Sequence, residues 1–186
     1  PMHLGEQQVE AKLSALARKN LNTAEAPSFI GAGSYRHHVP ATVDYIIQRS
    51  EFLTAYTPYQ PEIAQGTLMY LFEFQTYVAN MTGMDVANAS MYDGATSLAE
   101  AALMAQRVTK RKNITVAPNL HPHYLETLQT YMATTGGEIL FGDKPSADCA
   151  AFIIQSPDFL GTPHSLEGCR KACDETGSML IHAFTE

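Results

Sequence analysis

No stretch of the 186 residues approaches the roughly 18 consecutive apolar positions that a helix needs to cross a bilayer. The start of the chain, with Glu6, Gln7, Gln8 and Glu10, has neither a secretory apolar core nor the Arg-rich character of a transit peptide. Cysteine is scarce and odd in number, at three. That argues against a disulfide framework and suits a reducing cytoplasm, the expected location. Basic residues are outnumbered, 12 Lys and Arg against 19 Asp and Glu, for a formal net charge of −7. No general attraction to nucleic acid or to an anionic membrane is expected from that balance. The chain also has no GxGxxG turn, no Walker lysine and no Gly-x-Ser-x-Gly elbow, so dinucleotide, NTP and serine-hydrolase chemistry are disfavoured. What it does have is apolar substance: 45% hydrophobic and 17% charged residues, enough to pack one domain, or one domain with an appendage.

Two regions differ in texture. Residues 1–60 are expected to form an N-terminal helix and an irregular arm, and residues 61–186 a partial α/β domain. In the first, Val9, Leu13 and Leu16 make one apolar stripe within a polar helix over residues 1–20, a pattern suited to docking on a neighbour. A Gly-, Pro- and Tyr-rich stretch follows, interrupted by a short helix over Ala41 to Glu51. In the second, Leu68, Leu71, Phe74, Val78 and Met81 recur every three or four residues before Gly83, which marks a helix and its stop. Further helices are expected from Asp93 towards Lys110, after Pro122, and from Leu166 to Thr176. Strands are expected at Ile114–Ala117, Glu138–Phe141, Ala150–Ile154 and Met179–Phe184. Strands that alternate with helices and run almost continuously apolar predict a mostly parallel sheet with helices on both faces.

Three places could carry chemistry. In Met91-Tyr-Asp-Gly-Ala-Thr-Ser97 small residues open a helix, and free backbone N–H groups there could hold a phosphate or carboxylate. The same residues fit an ordinary capped start with Asp93 as N-cap. In Thr54-Ala-Tyr-Thr-Pro-Tyr-Gln-Pro61 two prolines stiffen a loop that presents Tyr56, Thr57, Tyr59 and Gln60, as a small polar substrate would need or as a rigid connector would show. His121-Pro-His123 stands at a strand-to-helix junction. Neither these histidines nor His37 and His38 have the companions at ligand spacing that a metal requires. Cys169 and Cys173 share a helix face, an arrangement more typical of a small buried pair than of a redox site.

The stretch Ser50-Glu-Phe-Leu-Thr-Ala-Tyr-Thr-Pro-Tyr-Gln-Pro-Glu-Ile-Ala-Gln-Gly-Thr67 resembles the glycine dehydrogenase (decarboxylating) family, the P-protein of the glycine cleavage system. So do Phe72-Glu-Phe-Gln75, Thr82-Gly-Met-Asp-Val-Ala-Asn-Ala-Ser-Met-Tyr-Asp-Gly-Ala-Thr96 and Ala99-Glu-Ala-Ala102. Phe29-Ile-Gly-Ala-Gly-Ser-Tyr35, His121-Pro-His-Tyr124 and Gln155-Ser-Pro-Asp-Phe159 fit the same pattern, and the resemblance is to the N-terminal portion of subunit 1, the α chain of the two-chain form. It implies a fold-type-I pyridoxal-phosphate (PLP) transferase-like large domain. It implies glycine decarboxylation on PLP with transfer of the aminomethyl group to the lipoyl arm of H-protein, in an α2β2 assembly with subunit 2, the β chain.

On that resemblance the Schiff-base lysine and most of the PLP contacts belong to the β chain, and no catalytic residue is expected in this chain. Tyr56, Thr57, Tyr59 and Gln60 would line the shared active site. Asp93, Gly94, Ala95 and Thr96 align with the phosphate cup of PLP-bearing relatives and His121 with the residue that stacks on the ring, together a vestigial cofactor or anion site. Gly142-Asp-Lys-Pro-Ser-Ala147 is shorter than the corresponding family stretch, which carries an extra helical segment.

Overall fold

The computed structural model describes residues 3–31, 36–52 and 57–185. The chain divides into two units, Pro1–Leu68 and Met69–Glu186.

The first unit holds α1 (Glu6–Ala17) and α2 (Ala41–Ile47). Both are shorter than the sequence suggests. α1 ends where Arg18 and Lys19 turn back on Ser14 and Leu16, and α2 starts at Pro40, whose fixed φ suits the position just before a helix. Neither helix buries a residue. The stripe Val9, Leu13 and Leu16 is exposed, as are Val43, Tyr45, Ile46 and Ile47 on α2. Thr23, Glu25, Phe29 and Arg36 border an open concavity.

The second unit takes in most of α3 (Gln65–Thr82), then α4 (Gly94–Thr109), β1 (Asn113–Val116), α5 (Pro122–Met132), β2 (Ile139–Phe141), β3 (Cys149–Gln155), α6 (Leu166–Thr176) and β4 (Met179–Ala183). α3 stops at Gly83, whose φ of +70° is a left-handed turn that glycine adopts without strain. The four strands are all parallel, in the order β2-β1-β3-β4. Alternation along them sorts the core into two layers. Ile114, Val116, Ala151, Ile153 and Ala183 meet Leu98, Ala102 and Ala105 of α4 and Leu128 and Met132 of α5. Phe152 and Ile154 meet Cys173 of α6, with Leu166, Cys169 and Leu180 against them. β3 is buried along its whole length because both layers use it.

The connection from β2 to β3 is unusual. It must pass β1 to reach β3, and parallel strands are normally joined by a crossover of a dozen or more residues. Here residues 142–148 do it without a helix, which agrees with the shortened Gly142–Ala147 stretch. The connection crosses the α6-side face of β1 and is held there by polar groups. Ser146 N donates to the hydroxyl of buried Thr115 at 3.2 Å, and Asn113 Nδ2 donates to Asp148 at 3.2 Å.

Among the described residues no helix is long and apolar enough to cross a membrane, and no group of His, Cys, Asp or Glu is placed to hold a metal ion.

Candidate functional site

In a parallel sheet, the chain leaving two neighbouring strands towards opposite faces opens a crevice at their carboxyl ends. β1 feeds α5 on one face and β3 feeds α6 on the other, so that crevice lies beyond Val116 and Gln155. Three segments meet there: 117–124, 155–164 and the start of α4.

His121 caps α5. Its Nδ1 accepts from His123 N at 3.2 Å, and its own N–H donates to Gln155 Oε1 at 2.9 Å. Pro122, with no N–H to satisfy, takes the first helical position. Because Nδ1 accepts, the neutral ring carries its proton on Nε2. Burial, helped by the nearby His123, lowers the pKa of His121 and keeps it neutral at neutral pH. Three rings surround it: Tyr124 at 5.0 Å and tilted 32°, Phe159 edge-on at 5.0 Å, and His123 at 5.1 Å.

The loop after β3 begins with a cis Ser156–Pro157 bond and is organised by Asp158, whose side chain is 1% exposed. Its carboxylate accepts from Leu160 N and Thr162 N, each at 2.9 Å, from Asn119 Nδ2 at 3.1 Å and from His164 Nε2 at 3.0 Å. These donors, His164 first, hold its pKa far below the usual carboxylate range. Asn119, at φ +62°, also accepts Phe159 N through its carbonyl at 2.9 Å. The loop is thereby tied to the end of β1, with Phe159 against His121.

At the start of α4, Asp93 turns its carboxylate onto its own helix. Oδ1 accepts from Thr96 N at 2.7 Å and from Thr96 Oγ1 at 2.7 Å, and Ser97 Oγ donates to the Asp93 carbonyl at 2.6 Å. Bonds from the Thr96 N–H first, then its hydroxyl and the Ala95 N–H, lower the Asp93 pKa. Gly94 is pressed from outside: a Cβ there would lie 2.2 Å from the Tyr124 hydroxyl oxygen. Gly94 and His121 are therefore joined through Tyr124.

The proline-stiffened loop singled out in the sequence is in the first unit. Tyr56 lies outside the described residues. Tyr59 is 86% exposed and donates its N–H to the Thr57 carbonyl at 2.9 Å, while Gln60 is exposed and accepts from Ile63 N at 3.2 Å. Of the cysteines, Cys173 is buried and its thiol is pushed up to about 11, chiefly by burial, so it stays protonated and inert.

Comparison with known proteins decides the family. The glycine cleavage system P-protein family model matches residues 1–185. The chain belongs to the glycine cleavage system P-protein family. Its relatives include proteins named probable glycine dehydrogenase (decarboxylating) subunit 1. That of Rhodospirillum rubrum is 54% identical over 197 aligned positions, covering 100% of this chain and 44% of the relative. That of Xanthobacter autotrophicus is 52% identical over 196 positions with the same coverage. Alignments longer than the 186 residues here mean that the relatives carry stretches with no counterpart in this chain. A crystal structure of an inhibitor-bound glycine decarboxylase (P-protein) superposes with a TM-score of 0.83 at 39% identity, over 99% of this chain and 44% of that one. The chain thus spans less than half the length of the relatives it matches, and the α/β fold is that of the P-protein.

The P-protein family is PLP-dependent, and the residues of this crevice do not fit that cofactor. The N–H groups of Ala95 and Thr96 that could hold a phosphate are already bonded to the Asp93 carboxylate, which would also repel one.

Sequence reasoning passed over Tyr124, Asp158, Asn119 and His164 as working residues. One sign was available: the polar Gln155 closes an otherwise apolar strand, and a polar group there must find a partner.

Proposed function

We propose that this chain is the α-chain portion of a glycine cleavage P-protein. Together with a β chain that holds PLP, it would decarboxylate glycine and pass the aminomethyl group to the lipoyl arm of H-protein. The carrying observation is the match of the whole chain to proteins named subunit 1, joined to a crevice whose own residues do not fit the cofactor. The name of those relatives implies an enzyme of more than one subunit. An α2β2 assembly in the cytoplasm is the form proposed here.

In this reading Tyr56, Thr57, Tyr59 and Gln60 line the shared active site. Pro58 and Pro61 fix the backbone on either side of Tyr59 and Gln60, and the phenol of Tyr59 projects outward instead of packing into its own unit. Hydroxyl and amide groups held this way can orient a small zwitterion such as glycine. In the assembled enzyme, Tyr56→Phe or Thr57→Ala is expected to lower glycine decarboxylation by about tenfold or more, the loss of one oriented hydrogen bond, with assembly intact. Unchanged turnover in both variants would contradict the assignment.

A second reading, a non-catalytic interaction subunit, is favoured by the exposed apolar side chains of α1 and α2. It predicts the reverse pattern: substitutions at Val9, Leu13 and Leu16 abolish complex formation, and those at Thr57 and Tyr59 are silent.

A further inference from the structure

We propose that the crevice at the carboxyl ends of β1 and β3 is closed to phosphate-bearing ring cofactors by this chain's own side chains, with Tyr124 as the residue that fills it and Asp93 as a built-in anion. The inference deepens the proposed function and rests on its reading of the crevice. It concerns what this chain excludes by itself, whatever a partner does.

The argument rests on mutual placement. The Tyr124 hydroxyl lies so close to Gly94 that a Cβ there would stand 2.2 Å from its oxygen, and the phenol would have to move to admit one, although the Gly94 backbone would otherwise accept it. The same ring sits 5.0 Å from His121, tilted 32°, so a single side chain reaches from the start of α4 to His121. Phe159 closes on His121 from another side, edge-on at 5.0 Å, and the Asp158 bonds fix the loop that carries it. At the α4 end, the Asp93 carboxylate takes the hydrogen bonds of Thr96 that an incoming phosphate would need. An anion entering would have to break the cap, displace the phenol and accept a like charge beside it, three costs that add in the same direction.

The test uses pyridoxine 5′-phosphate, which lacks an aldehyde and therefore cannot react with surface lysines. Its binding to the whole chain is followed by fluorescence, with pyridoxine and inorganic phosphate as separate competitors. The native chain is expected to show no saturable binding. The double variant Tyr124→Ala/Asp93→Ser keeps a capping hydroxyl at the helix start and is expected to bind at least about tenfold more tightly, with phosphate competing. Saturable binding by the native chain, abolished by His121→Ala, would overturn the proposal. So would a double variant with native circular dichroism that still fails to bind.

If the double variant does not fold, a thermal-melting cycle decides. Gly94→Ala is expected to lower Tm clearly in the native chain and much less in the Tyr124→Ala background. Equal shifts in the two backgrounds would show that Tyr124 does not fill the space. These binding and melting readouts need no β chain, so their failure is distinguishable from failure of the glycine-decarboxylase reading, which appears only as lost turnover.

Discussion

Asp158 shows how one side chain can organise a site it never chemically serves. Four donors from two parts of the chain converge on a carboxylate with 1% exposure, and the result is a fixed position for Phe159 against His121. The folded pKa lies below the unfolded value of about 3.9, so the stabilisation is complete above that value and is lost as pH falls through it towards the folded pKa. Asp158→Asn is therefore expected to lower Tm at neutral pH and to flatten its fall between about pH 5 and pH 3, because the proton-linked part is gone. His164, 37% exposed, is the titratable group facing it and is left in place by this substitution. Melting curves measured across that range check it, and parallel falls for the two proteins would contradict it. None of this was legible in the sequence. Asp158 and Asn119 are 39 positions apart, and only the pairing of β1 with β3 brings them together. Asp93 was legible as an N-cap because its partners stand three and four residues away. What the local pattern could not show was that the cap is complete, and that Tyr124 lies over it from another helix.

Periodicity told the elements apart well and their surroundings poorly. The helix over Leu166–Thr176 and the start of the last strand at Met179 fall where the sequence places them, and α3 ends before Gly83 as expected. The apolar spacing of α3 was a sound sign of a helix, yet α3 buries no residue, and Phe74 and Met81 of its stripe are exposed. Spacing records that a face is apolar and does not say what covers it. The β2–β3 connection is the clearest case of composition deciding geometry. Seven residues are too few for a crossover helix, and the short connection that runs instead is held where Thr115 offers a buried hydroxyl to the Ser146 N–H. Thr115→Val keeps the shape and removes that acceptor. It is expected to cost about 1–2 kcal/mol in urea unfolding, from the stranded N–H. A variant as stable as the parent would mean that the connection is held by other contacts.

At the scale of the whole molecule, two kinds of surface stand out. Exposed apolar side chains run along α1 and α2, and others gather where strands end: Phe141 at the end of β2, Phe159 and Leu160 after β3, Phe184 after β4. Isolated exposed apolar residues are ordinary, but several gathered at the carboxyl end of one sheet form a surface that a further part of the protein or another chain can cover. Family membership was legible from the motif-bearing stretches because residue identity along the chain carries it without any knowledge of long-range contacts. How the parts work with a partner is not a local property, and no motif encodes it.

The most direct test of the account is reconstitution. The chain is mixed with a matching subunit 2, PLP and lipoylated H-protein, and exchange of labelled bicarbonate into the carboxyl of glycine is followed. The chain by itself and subunit 2 by itself are expected to be inactive, and the mixture to form a stable complex that exchanges carboxyl label. Exchange by this chain without subunit 2, or a stable complex that never exchanges, would contradict the account.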